Sequence, residues 1–163
     1  MAREYIVPMA NVSVTGAVSL AWVFVNPGTT QSLEFLRAYA SQSANATSAQ
    51  QSIAIQTQVT AFPTLTSTAP VKLKLLDPVS QITGNTDGAA GHSGTNASVA
   101  GAGTKSGVIT DNFNVLNGYL WVPTPAETII MNASAASGLG LYAPTQPTSL
   151  GNWSAGLVFR ELG

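Results

Sequence analysis

The sequence contains no cysteine, a single histidine and very few charged residues. Without cysteine the chain has neither a disulfide framework nor a thiolate metal site. Charged residues make up 8% of its 163 residues, against about 25% in an average globular protein. A surface with so little charge is weakly protected by self-repulsion. We therefore expect copies of the chain to associate with one another or to join a larger assembly.

Long basic runs and long apolar runs are also missing. Six Lys and Arg residues are scattered along the chain, and the formal net charge is −1. Nucleic-acid partners are held by concentrated basic patches that release counterions, so we expect no nucleic-acid partner. The longest apolar run, 17–25, stops at Asn26-Pro27 and is shorter than the roughly 20 residues that a membrane span needs. We expect no membrane partner either.

The first residues do not resemble a signal peptide. Glu4 stands directly beside Arg3, and Pro8 and Asn11 interrupt the apolar region that such a peptide requires. We therefore expect synthesis and folding in a cytoplasm. The length and the 45% hydrophobic content suit one buried core and are short for two, which predicts a single domain over 1–163.

Short apolar and β-branched runs between turn signals are abundant, and they predict strands. The segment 32–40 fits a strand, although part of it also fits a helical period. Pro8 places the first strand toward a sheet edge, because proline cannot donate to a ladder. Lys72 and Lys74 alternate with apolar residues, which is typical of a blunted edge strand. The predicted strands fall within 5–9, 12–25, 32–40, 52–60, 71–75, 108–122, 128–131, 138–143 and 153–162.

The segment 108–122 carries the strongest local prediction. Asn117-Gly118 tolerates the positive φ angles of a type I′ turn, and apolar runs flank it on both sides. We predict a β-hairpin there, with Phe113 and Val115 on one face. After the turn, four consecutive apolar residues leave the second strand apolar on both faces. That strand is expected inside a sandwich or at a subunit interface.

The longest irregular piece, 83–107, consists mainly of Gly, Ala, Ser, Thr and Asn. It has almost nothing to bury, so we expect an extended loop. The many short strands, separated by turn signals and without strong helix caps, indicate an all-β protein. The prediction is a jelly-roll-like β-sandwich of two packed sheets with a long Gly/Ala-rich loop.

No stretch of the sequence predicts a catalytic, metal or cofactor site. His92 has only Asp87 as a nearby carboxylate, and a site needs several convergent groups. Asp111 and Glu127 are distant in sequence and would meet only through the fold. The segment 101–106 resembles the end of a phosphate-binding loop, but a threonine precedes its lysine and a strand is expected to follow. We therefore expect neither an enzyme nor a cofactor.

The aromatic residues of the predicted strands are expected to fill the core, because aromatics dominate the buried area of β proteins. An alternative is that some of them form a carbohydrate-binding platform or a subunit contact. The residues concerned are Trp22, Tyr39, Phe113, Tyr119, Trp121, Trp153 and Phe159.

Several motifs resemble a group of small virion proteins of tailed bacteriophages. They are the Met-Ala-Arg start, Phe113-Asn-Val-Leu-Asn-Gly, Pro123-Thr-Pro-Ala-Glu, Ala143-Pro and Trp153-Ser-Ala-Gly-Leu-Val-Phe-Arg-Glu-Leu. The likeness spans most of the chain. Some proteins of this group are similar to jelly-roll head decoration proteins, also called cement proteins, which commonly sit as trimers on the capsid exterior.

This resemblance implies a structural virion protein on the phage head surface, with the major capsid protein and two further copies of itself as partners. The main alternatives are a β-sandwich associated with the tail, neck or fibres, and a carbohydrate-binding module. We expect a homotrimer that packs through an apolar sheet face and docks through charged pairs near its termini. The predicted interface residues are Arg3, Glu4, Tyr119, Trp121, Arg160 and Glu161.

Overall fold

The computed structural model describes residues 3–14, 20–43, 47–145 and 151–163. Within these ranges the structure has strands and no helix, so the all-β prediction is confirmed. The strands are β1 (Arg3–Ser13), β2 (Leu20–Val25), β3 (Ser32–Gln42), β4 (Gln50–Val59), β5 (Thr64–Ser67), β6 (Val71–Lys72), β7 (Thr83–Gly84), β8 (His92–Val99), β9 (Lys105–Asn114), β10 (Tyr119–Trp121), β11 (Ile129–Met131), β12 (Ser137–Ala143) and β13 (Asn152–Leu162).

The strands form two sheets. Sheet A has the order β10-β3-β13-β1-β6, with β11 also pairing with β3. Sheet B has the order β5-β8-β2-β12-β4-β9, with β7 also pairing with β8. Strand β7 runs parallel to β8, and the other pairs are antiparallel.

The pairing is nested around the middle of the chain. Strand β1 pairs with β13, β2 with β12, β3 with β10 and β11, and β4 with β9. Successive pairs belong alternately to sheet A and sheet B. A doubled chain rolled up in this way is a jelly roll. The predicted jelly-roll-like β-sandwich is therefore what the structure has.

The main core lies between the two sheets. Trp22 of sheet B and Trp153 of sheet A are fully buried there, with ring centroids 4.8 Å apart. Burying a large apolar side chain stabilises the fold by about 1.5–3 kcal/mol. Of the other predicted aromatics, Phe113, Tyr119 and Phe159 are buried, whereas Tyr39 and Trp121 are half-buried. Core filling is thus confirmed for most of them.

Strand β3 confirms the strand prediction for 32–40 but corrects its faces. The pairing with β13 shifts between Phe35 and Arg37, so Leu36 is the extra residue of a β-bulge. Beyond the bulge the alternation is inverted, and Ala38 and Ala40 face the core. Simple alternation would have placed Arg37 and Tyr39 inside instead.

The hairpin prediction for 108–122 is wrong. Strand β9 pairs with β4 in sheet B, whereas β10 pairs with β3 in sheet A, so the chain crosses from one sheet to the other. A turn closed by a 2.9 Å hydrogen bond from Asn117 N to Asn114 O begins the crossing. Gly118 has a φ of +70°, but Asn117 does not have the positive φ of a type I′ turn. Phe113 and Val115 are buried together, as predicted.

The extended-loop prediction for 83–107 is also corrected. The segment contains β7, β8 and the first residues of β9. Its residues 83–104 belong to a longer insert, residues 60–104, that follows β4 and precedes β9. Small polar residues can form β8 because hydrogen bonds, rather than apolar burial, hold the strand. Its backbone pairs with neighbouring strands, and Ser93 Oγ donates to Thr68 O over 2.7 Å. Composition alone pointed to a loop because these residues have little apolar surface.

The insert covers part of the outer face of sheet B with a second apolar cluster. Phe24 of β2 is fully buried there and contacts Phe62, with ring centroids 5.8 Å apart. Gln58 lies beneath the insert, where its amide nitrogen donates to Ala61 O and Ala100 O over 2.9 and 3.1 Å. Its amide oxygen accepts a 2.7 Å bond from the hydroxyl of Tyr142. These bonds satisfy polar groups that burial would otherwise leave without partners.

At its β1 side, sheet A ends in the short strand β6, which leaves most of β1 without a second neighbour. Strand β1 pairs with β6 only at Tyr5 and Ile6, so Pro8 lies beyond that contact, on an open side as predicted. The strand predicted over 71–75 ends at Lys72, after only two residues. Val18, which was assigned to a strand, lies outside the described residues.

Candidate assembly surface

Most side chains on the outer face of sheet A are partly or fully exposed. Residues paired across neighbouring strands point to the same side of a sheet, so the registers define rows on this face. One row contains Arg37, Val158, Ile6 and Val71. Arg37 and Val71 at its ends are exposed, whereas Val158 is only 4% accessible. A second row, with half-exposed aromatic and proline residues, contains Leu120, Tyr39, Gly156 and Pro8.

A third row is ionic and alternates in sign. The registers place Glu34, Arg160 and Glu4 in order across the sheet, and Lys74, from the segment after β6, joins the row through an ion pair with Glu4. The Arg160 guanidinium donates to Glu34 Oε2 over 2.8 Å and to Glu4 Oε1 over 2.9 Å. Lys74 Nζ lies 3.4 Å from Glu4 Oε2. We call these four residues the charge row.

The charge row shifts the pKa values of its members. The hydrogen bond from Arg160, followed by the effects of Lys74, lowers the pKa of the Glu4 carboxyl despite partial burial. The Glu4 and Glu34 carboxylates raise the pKa of the Arg160 guanidinium, which stays charged. Glu4 and Arg160 therefore face each other as a charged, hydrogen-bonded pair on the sheet face.

Beside the charge row, residues 71–79 form an apolar protrusion that we call the hook. Its two apical side chains are almost completely exposed: Leu75 is 93% and Leu76 is 99% accessible. Leu73 and Val79 are exposed on either side of them, as is Val71 at the base. Contiguous exposed apolar groups of this kind usually mark an interaction site.

The hook is held in place by hydrogen bonds to the first and last strands. Glu4 N donates to Asp77 Oδ2 over 3.2 Å, and Leu73 N donates to Glu4 O over 3.0 Å. Tyr5 Oη donates to Pro78 O over 3.1 Å. Just after the hook, Gln81 N donates to Glu161 Oε1 over 3.0 Å. The exposed leucines are thus presented on an anchored backbone.

At the opposite edge of sheet A lies a second exposed apolar group, which we call the edge patch. It consists of Leu120, Val122 and Ile130, which are 66%, 60% and 56% accessible. Leu120 pairs with Tyr39, and Ile130 pairs with Glu34, so both side chains belong to the outer face. The edge patch and the hook therefore lie at opposite edges of sheet A.

The structure brings four of the predicted interface residues together. Arg3 pairs with Glu161, and Glu4 pairs with Arg160, across β1 and β13. Glu4 and Arg160 belong to the charge row. Glu161 is only 4% accessible and accepts bonds from Ser80 and Gln81, so it anchors the chain that follows the hook.

The two predicted aromatic interface residues face the core rather than the outer face. Tyr119 is 8% accessible and contacts the Phe113 ring at a centroid distance of 5.7 Å. Trp121 is half-buried and packs against the same core. The outward side chains of this strand region are Leu120 and Val122, so the expected apolar surface is present but is made by the alternate residues.

Other candidate groups have local roles. Asp87 Oδ1 accepts from Ala89 N over 3.0 Å and from His92 Nδ1 over 2.6 Å, which closes a turn. The bond from Ala89, and then that from His92, lowers the pKa of the Asp87 carboxyl. Within the described residues, no group of three potential metal ligands is found. The carboxylates of Asp111 and Glu127 accept hydrogen bonds from Asn112 N and from the Thr124 hydroxyl, respectively.

The segment 101–106 enters a strand, as expected, and does not begin a helix. Lys105 opens β9, and its ammonium lies 5.4 Å from the centroid of the Tyr142 ring. Desolvation lowers the pKa of Lys105. A cation held over an aromatic face has a structural contact, which differs from the phosphate contact of a P-loop lysine.

Sequence reasoning missed the hook itself. Alternation over 71–75 predicted a strand with Leu73 and Leu75 inward. A signal was nevertheless available, because Leu75-Leu76 breaks the alternation and is followed by Asp77-Pro78, a turn pair. Two adjacent leucines next to a turn cannot both face one core.

Searches among known protein families, curated proteins and solved structures find no match to this chain. Among the described residues there is also no helix of the length and apolarity that crossing a bilayer requires.

Proposed function

We propose that this chain is a structural virion protein that binds the outer surface of a phage head and stabilises it, as a decoration or cement protein does. Its partners are the major capsid protein and further copies of itself. The resemblance in the sequence suggests the kind of particle. The exposed hook, anchored beside an open sheet face, is the observation that supports an assembly role.

An anchored apolar protrusion suits a protein whose function is to bind a partner that buries this surface. Leu75 and Leu76 are exposed to water in the single chain. Burying them against a partner would contribute about 25 cal/mol of binding free energy per Å² of apolar surface. The hydrogen bonds of Asp77 and Pro78 fix the backbone in advance, which reduces the entropy lost on binding. Jelly rolls are also a fold that viral capsid domains use, although fold alone does not assign function.

Binding to undecorated capsids tests the proposal directly. Purified protein at micromolar concentration is mixed with capsids that lack it, and the bound fraction is measured by co-sedimentation. We expect saturable binding, and a loss of roughly ten-fold or more in affinity for the Leu75→Ser/Leu76→Ser variant, because most of the binding energy comes from a few central residues. Failure of the wild-type chain to bind would overturn the proposal.

Val108→Ser is the matched control for that experiment. Val108 is an exposed β-branched residue of β9, at the edge of sheet B and remote from the charge row. Its replacement removes a comparable exposed apolar side chain without touching sheet A. We expect its capsid binding to equal that of the wild-type chain, and an equal loss in both variants would contradict a role for the hook.

The alternative functions predict different results. A carbohydrate-binding module would present exposed aromatic rings, whereas the large apolar side chains exposed in the described residues are Leu, Ile and Val. Selective binding on a glycan array would favour that reading. Co-sedimentation with isolated tails but not with heads would favour a tail, neck or fibre protein. The proposal involves no cofactor and no catalysis.

A further inference from the structure

The outer face of sheet A has an arrangement that is complementary to itself. The hook lies beside β1 at one edge, and the edge patch lies beside β3 at the other. The charge row, whose last member Lys74 belongs to the hook, reads negative, positive, negative, positive across the sheet. When such a row is reversed and laid against itself, every negative group faces a positive group.

We propose that a second copy of this chain covers this face about a twofold axis that runs parallel to the strands, between β13 and β1. Reversing the charge row about that axis places Glu34 opposite Lys74 of the second copy and Arg160 opposite Glu4 of the second copy. The same contacts form twice, as they must in an isologous interface. Complementary charges of this kind define the register of an interface.

The same axis sets the other two rows. Arg37, at the end of the middle row, comes to lie opposite the exposed Val71 of the second copy. Val158 comes to lie opposite Ile6 of the second copy, and Gly156 opposite Pro8. The hook begins with β6, the last strand at its edge of sheet A, and β10 and β11 lie at the opposite edge, so reversal brings the hook toward the edge patch of the second copy. Both exposed apolar groups of sheet A are thereby covered, and neither requires a different partner.

A twofold axis perpendicular to the strands is disfavoured by the same residues. It would place the charge row against the row of Tyr39, Gly156 and Pro8. Four ionised groups would then lose water against apolar atoms and gain no new partner, which is costly. It would also leave the hook away from the edge patch. The alternation of charge therefore selects one axis.

The available area is sufficient for a specific contact. Five strand positions and the hook span about 25 Å at about 4.8 Å per strand, and the three rows span roughly 20 Å along the strands. This is roughly 500 Å² per copy, or about 1,000 Å² in total before side-chain relief is counted, which reaches the lower bound for a biological interface. The low charge of the chain adds little repulsion.

This inference deepens the proposed assembly role by naming the partner of its surface, and it rests on that role only for its biological purpose. The interface is closed after two copies, so the mass in solution should be twice the chain mass of 16.7 kDa. The homotrimer implied by the resemblance would have three times that mass. Capsids are absent from the experiments below, so self-association and head binding are tested separately.

A charge swap tests the register of the charge row. Lys74→Glu and Glu34→Lys each create two like-charge pairs in a homodimer, and we expect each to weaken self-association roughly ten-fold or more. An equimolar mixture of the two variants restores all opposite pairs, so a heterodimer should form with near wild-type affinity. Analytical ultracentrifugation of the single variants and the mixture measures this. Circular dichroism checks that each variant is folded.

The absence of cysteine allows a second test by cross-linking. Copies carrying Leu76→Cys in the hook are mixed with differently tagged copies carrying Leu120→Cys in the edge patch, and a short bis-maleimide is added. We expect the mixed cross-link to dominate, with little product from either variant alone. A second pair, Leu76→Cys with Val108→Cys on sheet B, is the control and should not cross-link.

Each result bears on the proposal. A dimer mass, rescue by mixing and a cross-link between positions 76 and 120 support it. A monomer, a trimer, a lack of rescue in the mixture or cross-links between two copies of position 76 would overturn it. Head binding by a chain that proves monomeric or trimeric would leave the proposed function intact and remove only the twofold contact.

Discussion

The outer faces of the two sheets differ in how far the rest of the chain covers them. On sheet B, the insert supplies Phe62 and other apolar residues that bury Phe24, and Gln58 satisfies the polar groups beneath it. On sheet A, the same insert contributes only the hook, which begins with the two residues of β6 and adds exposed leucines at the edge. One insert thus covers one face and leaves the other open.

This difference separates stability from assembly. The cluster on sheet B is complete within one chain, so its side chains should matter for folding. Most outward side chains on sheet A are at least partly exposed, although Val158 is only 4% accessible. Replacing the exposed ones should cost an isolated chain little and should show its effect only when a partner is present. Substitutions on the two faces can therefore test the comparison in a single set of measurements.

The largest effect is expected at Phe24. Phe24→Ala empties a fully buried aromatic site beneath the insert, and it should lower the free energy of unfolding by about 3–5 kcal/mol. Chemical denaturation monitored by circular dichroism measures the change. Leu120→Ala, on the open face, is the comparison and should cost about 0.5 kcal/mol or less in the isolated chain. Similar losses at both positions would show that the faces do not differ.

A smaller effect is expected where the insert returns to β9. A Cβ atom at position 103 would overlap the backbone carbonyl oxygens of Val59 and Thr60, so Gly103→Ala should cost about 1–3 kcal/mol. At Gly107 the nearest atom to an added Cβ is the hydroxyl oxygen of Thr110, at 3.7 Å. Gly107→Ala should therefore be nearly neutral in thermal unfolding. An unchanged melting temperature for Gly103→Ala would show that the insert can move away from sheet B.

The smallest effect is the pH dependence of the charge row. Arg160 and Lys74 lower the pKa of Glu4, so their stabilisation is complete above the ordinary glutamate pKa of about 4.3 and is lost as the pH falls through the lowered value. The loss should be about 1 kcal/mol or less, because the row is partly exposed. Denaturation between pH 5 and roughly pH 2 measures it. Glu4→Gln should flatten the curve in that window.

Glu127→Gln is the control for the pH experiment. Glu127 accepts a hydrogen bond from Thr124 and lies outside the charge row. Its replacement should leave the acid dependence close to that of the wild-type chain. If Glu4→Gln and Glu127→Gln gave the same curve, the charge row would not be the source of the acid sensitivity.

Much of the fold class could be predicted from local patterns. Phe113 and Val115 alternate with polar neighbours and are buried, and 32–40 is a strand as expected. Alternation reports which side of a strand is apolar, because successive side chains point to opposite faces. It does not report which strand is the neighbour. The jelly-roll topology was reached through strand number and turn spacing, and the structure bears it out.

The errors share one physical cause. Asn117-Gly118 favours a tight reversal whether the chain returns in its own sheet or crosses to the facing one, and only packing decides between these paths. The bulge at Leu36 arises from the pairing with β13, which no local pattern of β3 contains. The hook looked like a strand because alternation was present, but β1 offers it a partner only at Tyr5 and Ile6.

By itself, the sequence determined the chemical character of the protein: strands of alternating polarity, a nearly uncharged surface and no thiol chemistry. Amino-acid composition and the alternation of polar and apolar residues do not depend on how the strands are arranged in space. The tertiary structure alone decided that Glu34, Arg160, Glu4 and Lys74 stand in one row and that the leucines of the hook stay exposed. These residues are brought together from up to 156 positions apart, and only long-range strand pairing can align them.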